Sequence, residues 1–205
     1  MAKVFNFAVD NPKFGKRENN AGEDAPAVSS DGVIVVCDGT GATGMSKHSF
    51  DDGQTHTSAY LGSRVVSNIT EQFLRANYDK IFDCINDEAA IKDITSELGK
   101  ALRNGLDEFV KKYDLKIMYK GIAFKLLPTT LAAAVYKVFD DHIETVVFSA
   151  GDSRVLLWNN SDGLQQLSVD DVADGYDAFS DISNVTNCIS ANDEFLHCIK
   201  LASKT

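Results

Sequence analysis

Val33-Ile34-Val35-Val36-Cys37 is an apolar, mostly β-branched run that stops at Asp38 and passes straight into Gly39-Thr40-Gly41-Ala42-Thr43-Gly44. A short unbroken run of this kind, bounded by Gly32 and Gly39, predicts a strand buried on both faces. An acid at the tip of such a strand is held rigidly and points out of the core. That is a position suited to a metal ligand or a catalytic acid.

Three readings of the stretch compete. In the first, Asp38-Gly39 is an ordinary turn and the acid merely caps it. In the second, Gly39-Thr40-Gly41-Ala42-Thr43-Gly44 is a dinucleotide fingerprint, since it fits G-x-G-x-x-G literally. That pattern requires a βαβ unit and an acid about 20 positions later to hold the ribose. Residues 57–64 contain no acid, and the chain beyond them reads as one helix leading into another. In the third, Asp38 binds a metal and Gly39 lets the backbone approach it.

The rest of the chain supplies the frame. Residues 3–9 partly alternate and read as an opening strand, and residues 10–26 as a polar loop. Val28 begins another strand, turning at residues 29–32 into the central one. Residues 45–53 read as loop. From Thr55 to Ala76, Ala59, Gly62, Val65, Val66, Ile69 and Phe73 recur at helical steps. Ile91, Ile94, Leu98, Leu102 and Phe109 repeat the pattern over residues 89–113. Residues 114–128 are irregular. Strands are expected at 129–138, 143–149, 154–158 and 164–168, a spacing that predicts an antiparallel meander, with a last strand at 194–201. Long amphipathic helices must cover these sheets, so the predicted class is α+β, in a single domain over residues 1–205.

The chain carries 30 acidic and 20 basic side chains, a net charge of −10. Such a balance argues against nucleic acid or an anionic membrane as a partner. No stretch approaches the ~20 apolar residues of a membrane span, and the first residues lack the apolar core of a signal peptide. Cys37, Cys84, Cys188 and Cys198 are widely scattered, which predicts reduced thiols and a cytoplasmic protein. Cys37 reads as a small core residue.

Glu23-Asp24-Ala25, then Asp38-Gly39-Thr40-Gly41, Thr129-Thr130-Leu131, Gly151-Asp152-Ser153-Arg154 and Gln166-Leu167-Ser168-Val169-Asp170 stand in one order, with two helices between the second and third. Together they resemble the type-2C, metal-dependent protein serine/threonine phosphatases over roughly residues 5–171. The resemblance implies a layered α-β-β-α sandwich of antiparallel sheets flanked by helices. It implies two Mn²⁺ or Mg²⁺ ions, with Asp38 bridging both and the Gly39 carbonyl on one. Glu23 and Asp24 would hold metal-associated waters, and Asp152 would lie near a weaker metal position. Arg17 would clamp the phosphate. Hard ions of this type take carboxylate, carbonyl and water oxygens. His48, His56, His142 and His197 show no metal spacing, and most of them read as surface or interface residues. No G-x-S-x-G elbow and no C-x₅-R loop is present.

The chain departs from the family pattern in three places. Asn19-Asn20-Ala21-Gly22 lengthens the loop between Arg17 and Glu23, so Lys16 competes with Arg17. Thr40 stands where many eukaryotic members have histidine, as in bacterial members. The family's later D-G segment and final Asp would fall beyond Thr205, so either a fragment or a shortened member is expected. The expected activity is hydrolysis of phosphoserine or phosphothreonine in a protein substrate. The rival is an inactive relative kept as a binding or regulatory module. Without the resemblance, Gly151-Asp152-Ser153-Arg154 reads as a tight turn with Asp152 paired to Arg154. Asp170-Asp171 reads as the start of an acidic loop, and Thr129-Thr130 as sheet packing.

Overall fold

The computed structural model describes residues 22–41, 43–117, 125–172, 187–191 and 200–204. The expected strand at 3–9, with Lys16 and Arg17, lies outside them. So do residues 194–199 of the last expected strand; the strand described there is Lys200–Lys204.

β1 (Val28–Ser30) and β2 (Val33–Val36) form a hairpin. Its two turn residues, Asp31 and Gly32, have φ of 50° and 79°. Positive φ at both positions matches the right-handed twist of the flanking strands. β2 then pairs with β5 (Leu131–Val138), with Val33 opposite Val135 and Val35 opposite Ala133. β6 (Ile143–Ala150) and β9 (Lys200–Lys204) complete a five-stranded sheet in the order β1-β2-β5-β6-β9. Every pairing in it is antiparallel.

β2 departs from the sequence expectation. Val33 and Val35 are fully buried, but Ile34 and Val36 stay 36% and 40% exposed. Alternate residues of a strand face opposite sides, and at β2 the helices cover only one. A run of β-branched residues looks the same whether one face or both are covered.

That cover comes from α1 (Ser58–Ala76) and α3 (Glu88–Tyr113), joined through the short α2 (Tyr78–Asp83). Thr57 caps α1 by accepting from the Tyr60 N–H, and Asp87 caps α3 by accepting from Ala89 and Ala90. Val66 and Leu74 of α1 and Ile94, Leu98 and Leu102 of α3 meet Val33, Val35, Val135 and Phe148 of the sheet in one core. On the opposite face, Ala134 and Val147 lie under Leu167, Val155 and Leu157. The α+β layering expected from the sequence is therefore present.

The meander stops short of the expected course. β7 (Leu156–Asn159) and β8 (Gly163–Gln166) form their own two-stranded sheet. The chain leaves the main sheet at Gly151, where φ is 91°, a conformation that suits glycine. Leu156, Trp158 and Leu164 on the hairpin's outer side are 52%, 65% and 65% exposed. The expected loop at 45–53 contains β3 (Lys47–Ser49), paired with β4 (Thr55–Thr57), so α1 begins three residues later than its periodicity suggests. These strands are polar and three residues long, which leaves no apolar alternation to read.

Candidate active site

β2 delivers Asp38 to the end of the sheet, and its neighbour β5 fixes it there. The Asp38 N–H donates to Thr130 Oγ1 at 3.1 Å. The Asp38 carbonyl accepts from the Thr130 N–H at 2.8 Å and from Thr129 Oγ1 at 2.9 Å. Thr129-Thr130 therefore goes beyond sheet packing, the role its sequence suggested. It sets the backbone of the candidate acid, while the carboxylate takes no part in these bonds. Thr130 Oγ1 also meets Ser153 Oγ at 2.6 Å, tying in the 151–154 turn.

The Glu23-Asp24 segment runs beside this strand end. The Ala25 N–H donates to the Cys37 carbonyl at 2.9 Å. Thr57 Oγ1 donates to Glu23 Oε1 at 3.2 Å. A Cβ at Gly41 would collide with the same Glu23 carboxylate. A Cβ at Gly39 would stand 2.5 Å from the Glu23 carbonyl oxygen and 2.6 Å from that of Ala59. Glycine is thus required at Gly39, where the loop, the acidic segment and α1 touch backbone to backbone, whereas at Gly41 the Glu23 side chain would have to move.

Helix α1 contributes residues that the sequence reading passed over. Ser63, fully buried, donates to the Glu23 carbonyl at 2.5 Å. Arg64 Nη2 reaches the Gly22 carbonyl at 3.4 Å, its guanidinium 3.4 Å from the centre of the Tyr60 ring. His56 stacks on the Tyr60 ring, with centroids 4.1 Å apart. The available signal was the polar pair Ser63-Arg64 interrupting an apolar helical stripe. Ser63→Ala is expected to speed amide exchange at Asp24 and Ala25 roughly fivefold, the effect of losing about one net hydrogen bond. Ser63→Thr should restore protection. Unchanged exchange in Ser63→Ala would show that the hydroxyl does not hold this segment.

Asp38 Oδ1 is buried, and Asp24 Oδ1 and Thr40 Oγ1 are buried without a hydrogen-bond partner among the described residues. Burial pushes the Cys37 thiol well above its usual range, and the neighbouring Asp38 carboxylate adds to the rise. Cys37 is therefore an inert core thiol, as expected. Buried oxygens lacking donors suit a hard cation. Among the described residues, however, no three His, Cys, Asp or Glu side chains converge as a ligand group. The donor chemistry fits Mn²⁺ or Mg²⁺, but the described residues do not assemble a two-ion centre.

Asp152 is half-buried beside Ser153 and makes no hydrogen bond or ion pair among the described residues. The turn reading paired it with Arg154, which instead grips Asp170 through Nη2 at 2.6 Å. Asp171 is no loop acid. It is buried, and its Oδ2 accepts from the Gly151 N–H at 3.1 Å and from Asn187 Nδ2 at 2.9 Å. Of the histidines, His48 is buried, and its ring meets Ser58 Oγ at 2.9 Å. The dinucleotide reading loses its context, because the glycine turn leads into the β3–β4 hairpin and β2 has only antiparallel neighbours.

The profile of the protein phosphatase 2C family matches residues 16–198. A bacterial serine phosphatase structure superimposes with a TM-score of 0.55 at 19% identity, covering 98% of this chain and 72% of that one. Serine/threonine phosphatase Stp1 from Staphylococcus aureus gives 0.51 at 18% identity, covering 100% and 71%. No curated protein sequence matches. At these identities the structural likeness establishes the fold.

Proposed function

The chain belongs to the protein phosphatase 2C family, and from that premise we propose that it hydrolyses phosphoserine or phosphothreonine in a protein substrate with Mn²⁺ or Mg²⁺. One observation carries the reading. Asp38 stands at a strand tip with its backbone fully engaged by Thr129 and Thr130, and Glu23-Asp24 is clamped alongside.

Asp38 and the Gly39 carbonyl would hold the cation directly. Glu23 and Asp24 would order the surrounding water, and Asp152 would serve a weaker position. When bound, the cation neutralises phosphate charge and lowers the pKa of water. The chain's residues do the rest. Arg17 binds the phosphoryl oxygens. The half-buried Asp38, with its Oδ1 out of solvent, would supply the negative charge that attracts the cation. The Thr40 hydroxyl is too weak an acid to protonate the leaving oxygen near neutral pH, so water or another residue supplies that proton. No covalent nucleophile is required.

The reading goes with a cytoplasmic protein. Cys37, Cys84 and Cys188 are free thiols, and no helix among the described residues is long and apolar enough to cross a membrane. A second reading is a phosphoprotein-binding module without turnover. The lack of a three-ligand group among the described residues favours it.

Turnover of p-nitrophenyl phosphate and a phosphothreonine peptide, with and without excess Mn²⁺, separates the two. We expect slow, Mn²⁺-dependent hydrolysis of both. Mn²⁺-independent hydrolysis, or none at any Mn²⁺ concentration, would sink the enzymatic reading.

A further inference from the structure

Between α1 and α3 runs an open groove of about 510 Å³, within the range of ligand-binding clefts. Leu61, Val65 and Ile69 of α1 face Phe109 of α3 across it. The helices approach closely at Gly105, where an added Cβ would run into Ile69 Cδ1. The rim carries Arg64 and Lys112 against a single acid, Glu108. A cationic balance stands out in a chain of net charge −10.

Arg64 links the groove to the candidate active site. It forms part of the groove wall and also donates to the Gly22 carbonyl, next to Glu23. From Leu61 to Ile69 the helix rises about 12 Å, the span of roughly four extended residues. We propose that the groove docks a short extended stretch of the phosphoprotein substrate, apolar with an acidic residue, adjoining the phosphorylated residue. The proposal rests on the phosphatase reading for its occupant. The apolar side chains lie on Val65, Ile69 and Phe109, and the acid meets Lys112. Glu108 and Lys112 are both exposed, so reversing their charge should spare the fold.

The probe is fluorescein-labelled Asp-Leu-Phe-Gly-Ser-Gly-Phe-Leu-Asp, flanked on both sides so that chain direction does not matter. The control is Lys-Ser-Ser-Gly-Ser-Gly-Ser-Ser-Lys. Neither carries phosphate, so anisotropy reads docking apart from turnover. Wild type should prefer the first peptide. Lys112→Glu should weaken its binding about fivefold, and Glu108→Lys should tighten it by a similar factor, the scale of an exposed charge pair. Equal affinity for both peptides, or indifference to both variants, would overturn the groove. So would a wild-type dimer, seen by sedimentation, that Lys112→Glu dissociates, because the occupant would then be a second copy. Absence of p-nitrophenyl phosphate turnover alongside selective peptide binding would sink the phosphatase reading and leave the groove standing.

Discussion

Asp38→Asn should lower kcat/KM by about 100-fold or more, which corresponds to roughly 3 kcal/mol of lost transition-state stabilisation. The unfolding midpoint without metal should move by no more than a few degrees. The two effects separate because the two halves of the residue do different work. Its N–H and carbonyl hold Thr129 and Thr130, and asparagine keeps both. Its side chain puts a buried negative charge at the strand tip. Asparagine keeps the shape and removes the charge. Removing one charge from a half-buried residue whose backbone bonds are kept costs the fold little. Activity against the phosphothreonine peptide in Mn²⁺ and scanning calorimetry of the apoprotein supply the two readings. A midpoint drop of ten degrees with Mn²⁺ affinity intact would instead make Asp38 a structural cap.

Gly39→Ala should do the reverse and damage the fold first. The new Cβ would stand 2.5 Å from one backbone carbonyl oxygen and 2.6 Å from another. These belong to Glu23 and Ala59, on separate elements, and neither can rotate away as a side chain would. Overpacking against backbone on two sides should cost about 3 kcal/mol. For a chain of this size that is a fall of roughly 6–12 °C in Tm. Thermal unfolding checks it. A wild-type midpoint would mean that the acidic segment does not press on the loop.

The motif residues and the amphipathic helices were legible in the sequence for different reasons. α1 and α3 show themselves because one face of each is buried along its whole length. Asp38 stands out because a carboxylate directly follows five apolar residues, a pattern that a turn cap explains as well as a site does. Asp171 does not show itself, and Ser63 shows only as half of a polar pair in an apolar stripe. A serine in a helix and an acid in an acidic segment look like solvent-facing residues until the fold buries them against the Glu23 carbonyl and the Gly151 N–H. The turning of β7–β8 away from the sheet was equally hidden. It depends on a positive φ at Gly151 and on a carboxylate twenty residues later, and no local pattern encodes that pairing. The exposed side of β2 was misread because β-branched residues alone do not say how many layers cover a strand.

The bonds that set Asp38 join residues 91 and 92 positions apart. Between them stand the β3–β4 hairpin and the helices, and the helices' own backbone hydrogen bonds span only a few residues. The helical pair can therefore collapse early, on the microsecond scale of helices and short loops. β2 and β5 must then close a long loop before their pairing repays the entropy, a step that slows folding. The strand tip gains its final geometry only in that late step. During refolding, helical signal should recover well before any capacity to bind Mn²⁺.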